Sequence, residues 1–435
     1  MSVTADPTDP GYPHHLDAND PLSAFPSRFL VADPDTCYLD GNSLGRLPLS
    51  TKESVESFLV NEWGSELVEG WSHWIDEAER AGDLLAAAAL GSGPGQTLVA
   101  DTTSVNLYQL LRAVVDSRPD KSVIIVDSAN FPTDRYIAQG IAQQWGKTIL
   151  TLDVDGAGGT GAVPVDAECE RITPELLEPL LTEDVAVLTL QAVNYRSGAR
   201  PDIKAINDLA RSRGIPVVWD CAHAVGSIAL NFDEVGIDLA VGCTYKYLNS
   251  GPGSPAWLYV RRELHESLRV PIQGWFAQAD QFAMGAEFEK VDSIRGFQIA
   301  SPSIVGIRSV QSSLAMVKEA TIEAIEEKAR LGTSMMVELF DQWLAPLGFS
   351  LLTPRDPSWR GGHITLGHPD AKKIALAMRV VSKVIPDYRE PSSIRLAISP
   401  LASTYTEVWE GLRRTRELVA SGAYHDVSDE GSRVT

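Results

Sequence analysis

Seven apolar runs punctuate the chain between residues 97 and 260: TLVAD ends at Asp101, SVIIVD at Asp127, TILTLDV at Val154, VAVLTLQAV at Val193, IPVVWD at Asp220, LAVGC at Cys243 and PAWLYV at Val260. Short apolar runs of this kind read as buried strands. Between them lie segments with helical character, 104 to 117, 133 to 145 and 202 to 213. Strands alternating with helices at this interval predict an α/β fold, with right-handed crossovers and a mostly parallel sheet covered on both faces. After about residue 300 the pattern changes. Residues 303 to 345 predict a long helix, and LLTP, GGHITLGH and SIRLAIS predict the strands of a smaller lobe. Residues 1 to about 36 predict an arm that packs on the body or stays partly loose. GAGGTGAVP at 156 to 164 predicts an exposed loop rather than a phosphate cradle: its glycines at 156, 158 and 161 have GxGxxG spacing, but no helix starts there. The expected division is 1–49 for the arm and the start of the small lobe, 50–300 for the large domain and 301–435 for the small C-terminal domain.

Composition narrows the function classes. With 44% apolar and 22% charged residues the chain is an ordinary globular protein, long enough at 435 residues for two unequal lobes. Its formal charge of -21 repels phosphate backbones and anionic membrane surfaces, so neither nucleic acid nor membrane is expected as a partner. Cys37, Cys169, Cys221 and Cys243 are scattered without a CxxC pair, which argues against a disulfide framework or a metal site and fits a reducing cytoplasm. The first twenty residues lack a basic start and an apolar core segment, so no export signal is expected.

In open parallel sheets, ligands bind beyond the carboxyl ends of the strands, and that rule selects the candidate residues. Past TLVAD, Thr102, Thr103 and Ser104 stand where a helix starts, as an anion site or an ordinary cap. Past SVIIVD, Phe131 and Asp134 flank a proline turn, the aromatic free to stack on a planar ligand or to close the core. Asp220 leaves a buried run and needs a cation or a protonated donor to meet it, with His223 three residues on. Lys246, in VGCTYKYLNSGPGSP, follows one strand later; desolvation there lowers a lysine's pKa toward imine-forming range, although a snorkelling surface lysine is the alternative. An anion pocket, a stacking group, a carboxylate for a ring nitrogen and an amine at successive strand ends are the parts that pyridoxal phosphate needs.

The motifs YLDGNSLGRLP, DTTSVNL, NFPTDRYIAQG, VNYRSG, WDCAHAVG, GCTYKYLNSGPGSP, GWF, GFQIASPSI and IRLAISPL, in order from about residue 38 to 410, resemble the kynureninases. The resemblance implies a fold-type I pyridoxal 5'-phosphate enzyme: a mostly parallel seven-stranded sheet in a large domain, with a smaller α+β C-terminal domain. It implies Lys246 as the cofactor-holding lysine, Asp220 as the pyridinium partner and His223 beside the ring. Thr103, Ser104 and Tyr245 would hold the phosphate, Phe131 would stack on the cofactor and Asp134 would support it. Trp275 and Ser301 would reach the phosphate end from the neighbouring subunit of a homodimer. Arg395 would take the substrate's α-carboxylate, with Asn42, Ser43 and Trp71 or Trp74 bordering the substrate pocket. Gln191 or Asn194 would donate to the ring hydroxyl. Tyr247 is assigned to packing.

This chain departs from the family pattern at Gln278, where family members often have histidine, at Ala300-Ser301-Pro302-Ser303, and at Ala402 in Pro400-Leu401-Ala402. Those positions put substrate identity in question more than cofactor binding. The implied activity is hydrolysis of L-kynurenine, or of a ring-substituted relative, to an anthranilate and L-alanine, with Lys246 and Tyr245 as the proton-carrying groups. The alternatives are a related enzyme of secondary metabolism with another substrate, a C–S lyase or cysteine desulfurase, and a catalytically silent binding protein. The intact lysine, aspartate and arginine argue against the last.

Overall fold

The computed structural model describes residues 6–154 and 170–428, so GAGGTGAVP and Cys169 lie outside the described residues. The described strands are Cys37–Tyr38 (β1), Thr97–Val99 (β2), Val123–Asp127 (β3), Thr148–Leu152 (β4), Val185–Gln191 (β5), Val217–Asp220 (β6), Leu239–Gly242 (β7), Trp257–Val260 (β8), Ser350–Leu351 (β9), His363–Gly367 (β10), Val384–Ile385 (β11), Asp387–Arg389 (β12) and Ser393–Ala397 (β13).

Seven of these form one sheet in the order β2-β8-β7-β6-β5-β3-β4. Neighbours from β4 to β7 pair in parallel, and β8 runs antiparallel to both β7 and β2. The apolar runs thus take the predicted places. Every residue of β5, β6, β7 and β8 is buried, as expected of a sheet covered on both faces. The crossover helices start on recognisable signals. Thr102 caps Thr103–Ser117 by accepting from the Val105 N–H, Pro132 opens Pro132–Trp145, and Asp202 caps Ile203–Ser212 by accepting from Ala205.

The long helix expected over 303–345 is divided. Ile304–Ala320 ends and Ile322–Leu339 begins at Thr321, whose φ of 66° lies in the left-handed region while its hydroxyl accepts from the Ala324 N–H. The first helix places Ile307, Val310, Leu314 and Val317 in the core under the large sheet; the second carries Met335, Met336 and Leu339 into a separate core. That second core belongs to an antiparallel sheet of order β12-β13-β10-β9, joined by Cys37 and Leu39 because β1 pairs with β11. Because the larger core runs through Ile325, we propose that the small domain starts between Ile325 and Met335 rather than at residue 301.

The start of the N-terminal arm packs on this small lobe, while its Leu22, Phe25 and Phe29 enter the larger core. Its helix Gly11–Ala18 lies against Tyr405–Ala420, where Asp17 accepts the Tyr405 and Thr406 N–H groups and Pro7 accepts from the Trp409 indole. Asp20 then forms an ion pair of 2.7 Å with Lys328, both side chains almost wholly out of solvent.

Candidate active site

Because β3, β5, β6 and β7 are parallel, Asp127, Gln191, Asp220 and Gly242 leave the sheet on one edge; Gln191 is register partner of Asp220, and Asp220 of Val241. Asp220 is buried, and its carboxylate accepts the Ala222 N–H at 2.8 Å. It shares a hydrogen bond with Asp134, which is also buried. Burial first, and the neighbouring Asp220 carboxylate second, raise the Asp134 carboxyl well above the usual range, which suits Asp134 to donate to Asp220. Among the described residues Asp220 forms no ion pair within 4 Å. A carboxylate in that position has the place and sign to meet a cationic ring N–H.

Lys246 lies on the loop between β7 and β8. Its Nζ is 3.1 Å from Nε2 and 3.4 Å from Nδ1 of His223, so the amine rests against the imidazole. Burial lowers the pKa of Lys246, against the opposing pull of Cys243 and Asp220. Burial also holds His223 well below its ordinary range, helped by Lys246 and Arg395, which leaves a neutral ring. The Tyr245 phenol is pushed up by the Cys243 thiol and by burial, and stays protonated. Tyr247 is almost fully buried, with its hydroxyl unbonded.

Two sets of backbone hydrogen bonds fix this loop. Ala100 donates to Ala256 and Ala256 to Asp101, which ties its far end to the N-terminus of the helix carrying Thr103 and Ser104. Gly45 donates to Tyr245 O at 2.8 Å, bringing in the 40–45 turn.

Arg395 is fully buried on β13. Its Nη2 donates to Ser43 Oγ at 3.0 Å, its Nη1 donates to Tyr195 O, and Nη1 also lies 3.4 Å from His223 Nε2. With its amide turned to match the donors, Asn42 accepts from Nε and Nη2 of Arg395. The structure therefore brings together Asp134, Asp220, His223, Tyr245, Lys246, Asn42, Ser43 and Arg395. Phe131 joins them through Tyr195, whose ring stands edge-on to Phe131 at 5.2 Å and 6.4 Å from His223.

Other predicted residues stand apart. Trp74 packs with Phe58, Trp71 and Ile304, and its indole donates to Glu62 at 3.0 Å. Trp275 is 44% exposed, edge-on to Phe276, and Ser301 is exposed at the rim of an apolar cavity of about 530 Å³ lined by Trp63, Leu67, Trp71 and Trp74. None of the described contacts joins these three to Lys246 or Asp220. Gln191 and Asn194 both donate to Ala129 O at 3.2 Å and accept N–H groups of residues 195 to 197, so they brace two loops. Gln278 is spent on the backbone of residues 287 and 289.

Four residues that sequence reasoning did not single out also belong here. Tyr195 was visible only as part of VNYRSG. Asp387 is the register partner of Arg395 and accepts from it, a pairing whose one sequence signal is the alternation Asp387, Arg389 beside a charged strand. Asp40, at the start of the turn, is raised to about 6 by burial and by Asp387. His363 is buried, its ring 6.0 Å from that of His223. The buried thiols of Cys221 and Cys243 are pushed up by burial, contrary to what a nucleophilic desulfurase cysteine requires.

Known proteins resemble this chain in sequence and in fold. The model of the class-V aminotransferase family matches residues 102–358, and that of the kynureninase C-terminal domain matches residues 325–414. Solved structures with this fold include a variant of the C-DES protein with glycine covalently linked to its PLP cofactor (TM-score 0.75, 15% identity, covering 91% of this chain and 98% of that one). Another is an apo cysteine desulfurase from Thermococcus onnurineus (TM-score 0.73, 16% identity, 89% and 95%). In sequence, kynureninase from Pseudomonas fluorescens is 34% identical over 412 residues, 93% of this chain and 94% of that protein. Kynureninase from Deinococcus radiodurans is 32% identical over 402 residues, 90% and 92%. With that identity along nearly its whole length, and with both domain models matched in order, the chain belongs to the kynureninase family.

Proposed function

We propose that this chain is a pyridoxal 5'-phosphate-dependent hydrolase that cleaves the Cβ–Cγ bond of L-kynurenine, or of a ring-substituted kynurenine, to an anthranilate and L-alanine. The observation that carries the reading is convergence: Lys246 Nζ and Arg395 Nη1 approach the same His223 nitrogen, at 3.1 and 3.4 Å. An α-amino acid carries its reacting Cα next to its carboxylate, so an amine and a guanidinium so placed can address both at once.

The donor set fits the cofactor. Asp220, buried without an ion pair, would take the pyridinium N–H; neutral His223 would lie against the ring without competing for that carboxylate. Thr103 and Ser104 open a 15-residue helix and, with Tyr245, would hold the phosphate. Phe131 would close the other side of the ring. When bound, the cofactor supplies an electron sink for the pair left on carbon by proton loss or C–C cleavage.

The side chains do the rest. Arg395 binds the α-carboxylate through its planar fork while Asn42 and Ser43 fix the guanidinium. Lys246, desolvated and so readily neutral, takes the proton from Cα and can return it at a second carbon. Tyr245, kept protonated, can pass a proton at the γ-carbonyl as water adds there. On this reading Trp275 and Ser301 serve the site of a second copy in a homodimer, and Trp71 or Trp74 borders the substrate pocket. The same reading makes the enzyme cytoplasmic; among the described residues no helix is long and apolar enough to cross a membrane.

Purified protein is expected to absorb visible light through its cofactor, and Lys246→Ala to lose that band. Incubation with L-kynurenine and 3-hydroxykynurenine is expected to release alanine and a fluorescent anthranilate. Turnover of cysteine conjugates with neither kynurenine consumed would overturn the substrate assignment.

A further inference from the structure

Asp387 and Arg395 face each other across the antiparallel pair β12 and β13, and both side chains are fully buried. One oxygen, Oδ2, accepts from both Nε and Nη2 of Arg395 and also from Nε of Arg389 at 3.0 Å. The other, Oδ1, has no hydrogen-bond partner. The anion therefore sits on one edge of the guanidinium, the Nε–Nη2 edge. The other edge, Nη1–Nη2, is turned toward Tyr195 O, His223 and Ser43, which is the side where Lys246 lies.

A guanidinium binds a carboxylate through two parallel N–H groups only when its plane and its rotation about Nε are fixed. Arginine alone has neither fixed, since its side chain carries several free torsions. Asn42, Ser43 and the Tyr195 carbonyl limit the plane but are neutral and weak anchors. Asp387 is the charged group that selects which edge points outward, and Arg389, a quarter exposed, keeps that carboxylate from turning.

We infer that Asp387 is a positioning residue for substrate recognition: it clamps Arg395 from behind, so that the Nη1–Nη2 edge is presented to the substrate's α-carboxylate beside Lys246. The inference rests on the reading of Arg395 as the carboxylate anchor. Asp387 touches neither substrate nor cofactor; it acts through Arg395.

The test compares L-kynurenine with the amine that kynurenine becomes on losing its carboxyl group, used as a competitive inhibitor of the cofactor-loaded enzyme. In Asp387→Asn the acid is expected to lose at least about tenfold in KM, the scale set by misplacing an orienting group, while kcat stays within about threefold. The amine's inhibition constant is expected to change little, so the preference for the acid narrows, and the visible cofactor band is unaltered. A purely structural role would weaken both ligands together or lower kcat and the cofactor band, and that result overturns the inference. If Asp387→Asn does not fold, Arg389→Met, which loosens the same oxygen from outside, decides: a narrowed preference supports the clamp and an unchanged one overturns it. Arg395→Lys separates the two layers of the argument. If it leaves the preference intact, the carboxylate-anchor reading itself fails. If it abolishes the preference while Asp387→Asn does not narrow it, only the clamp fails.

Discussion

Asp127 shows how one side chain records the electrostatics of the whole strand edge. It ends β3 with its carboxyl group buried. Burial first, and the charge of Glu170 second, push its acid up to about 8 against the pull of Arg135 and of the backbone N–H groups of Asp127 and Ala129. The folded pKa lies above the unfolded value of about 4, so folding at neutral pH requires proton uptake. The associated stability is fully present below about pH 4 and is lost as pH rises toward 8. Asparagine carries no such requirement. Thermal unfolding of Asp127→Asn and the parent is expected to give a midpoint difference that moves in the variant's favour from pH 4 to pH 8. A difference independent of pH would show that Asp127 is ionised in the fold.

At the scale of elements, the site is a clasp between segments far apart in sequence. Gly45 is the contact point: a Cβ there would meet Lys246 O at 2.4 Å and the Asn249 backbone at 2.7 Å. Neither neighbour is the end of a flexible side chain, so the 40–45 turn and the Lys246 loop must separate. Gly45→Ala is expected to cost about 1–3 kcal/mol in stability as an overpacking change. It is also expected to lower kcat/KM about tenfold or more through a displaced Lys246. Equal melting and equal kinetics would show that the turn adapts. The strand ends bearing Asp220 and Lys246 were legible because apolar runs stop abruptly at them. The clasp was not, since nothing in GNSLG names its partner 200 residues on. The break at Thr321 was hidden for a similar reason. KEATIEAIEE has no glycine or proline, so no residue in it marks where the chain turns. Asp387 escaped notice because antiparallel register, which pairs it with Arg395, depends on a turn whose geometry the sequence does not state.

At the scale of the molecule, the constellation around Lys246 is built by one chain, whereas Trp275 and Ser301 face outward. Around Ser301 lies an exposed apolar surface that includes Trp63 at 55%, Leu67 at 64% and Val68 at 78%. A patch of this kind on a chain of charge -21 is costly in water unless another surface covers it. If a twofold partner does so, each site draws Lys246 from one subunit and Trp275 from the other. Hybrid dimers then provide a decisive measurement. Lys246→Ala and Trp275→Ala are each expected to have little kcat/KM alone. After unfolding and refolding as an equal mixture, half the dimers are hybrids, and each hybrid contains one site with both native residues. Recovery of about a quarter of the parent activity is expected from that arithmetic. If each site is complete within one subunit, every site in the mixture lacks one of the two residues, and no activity returns.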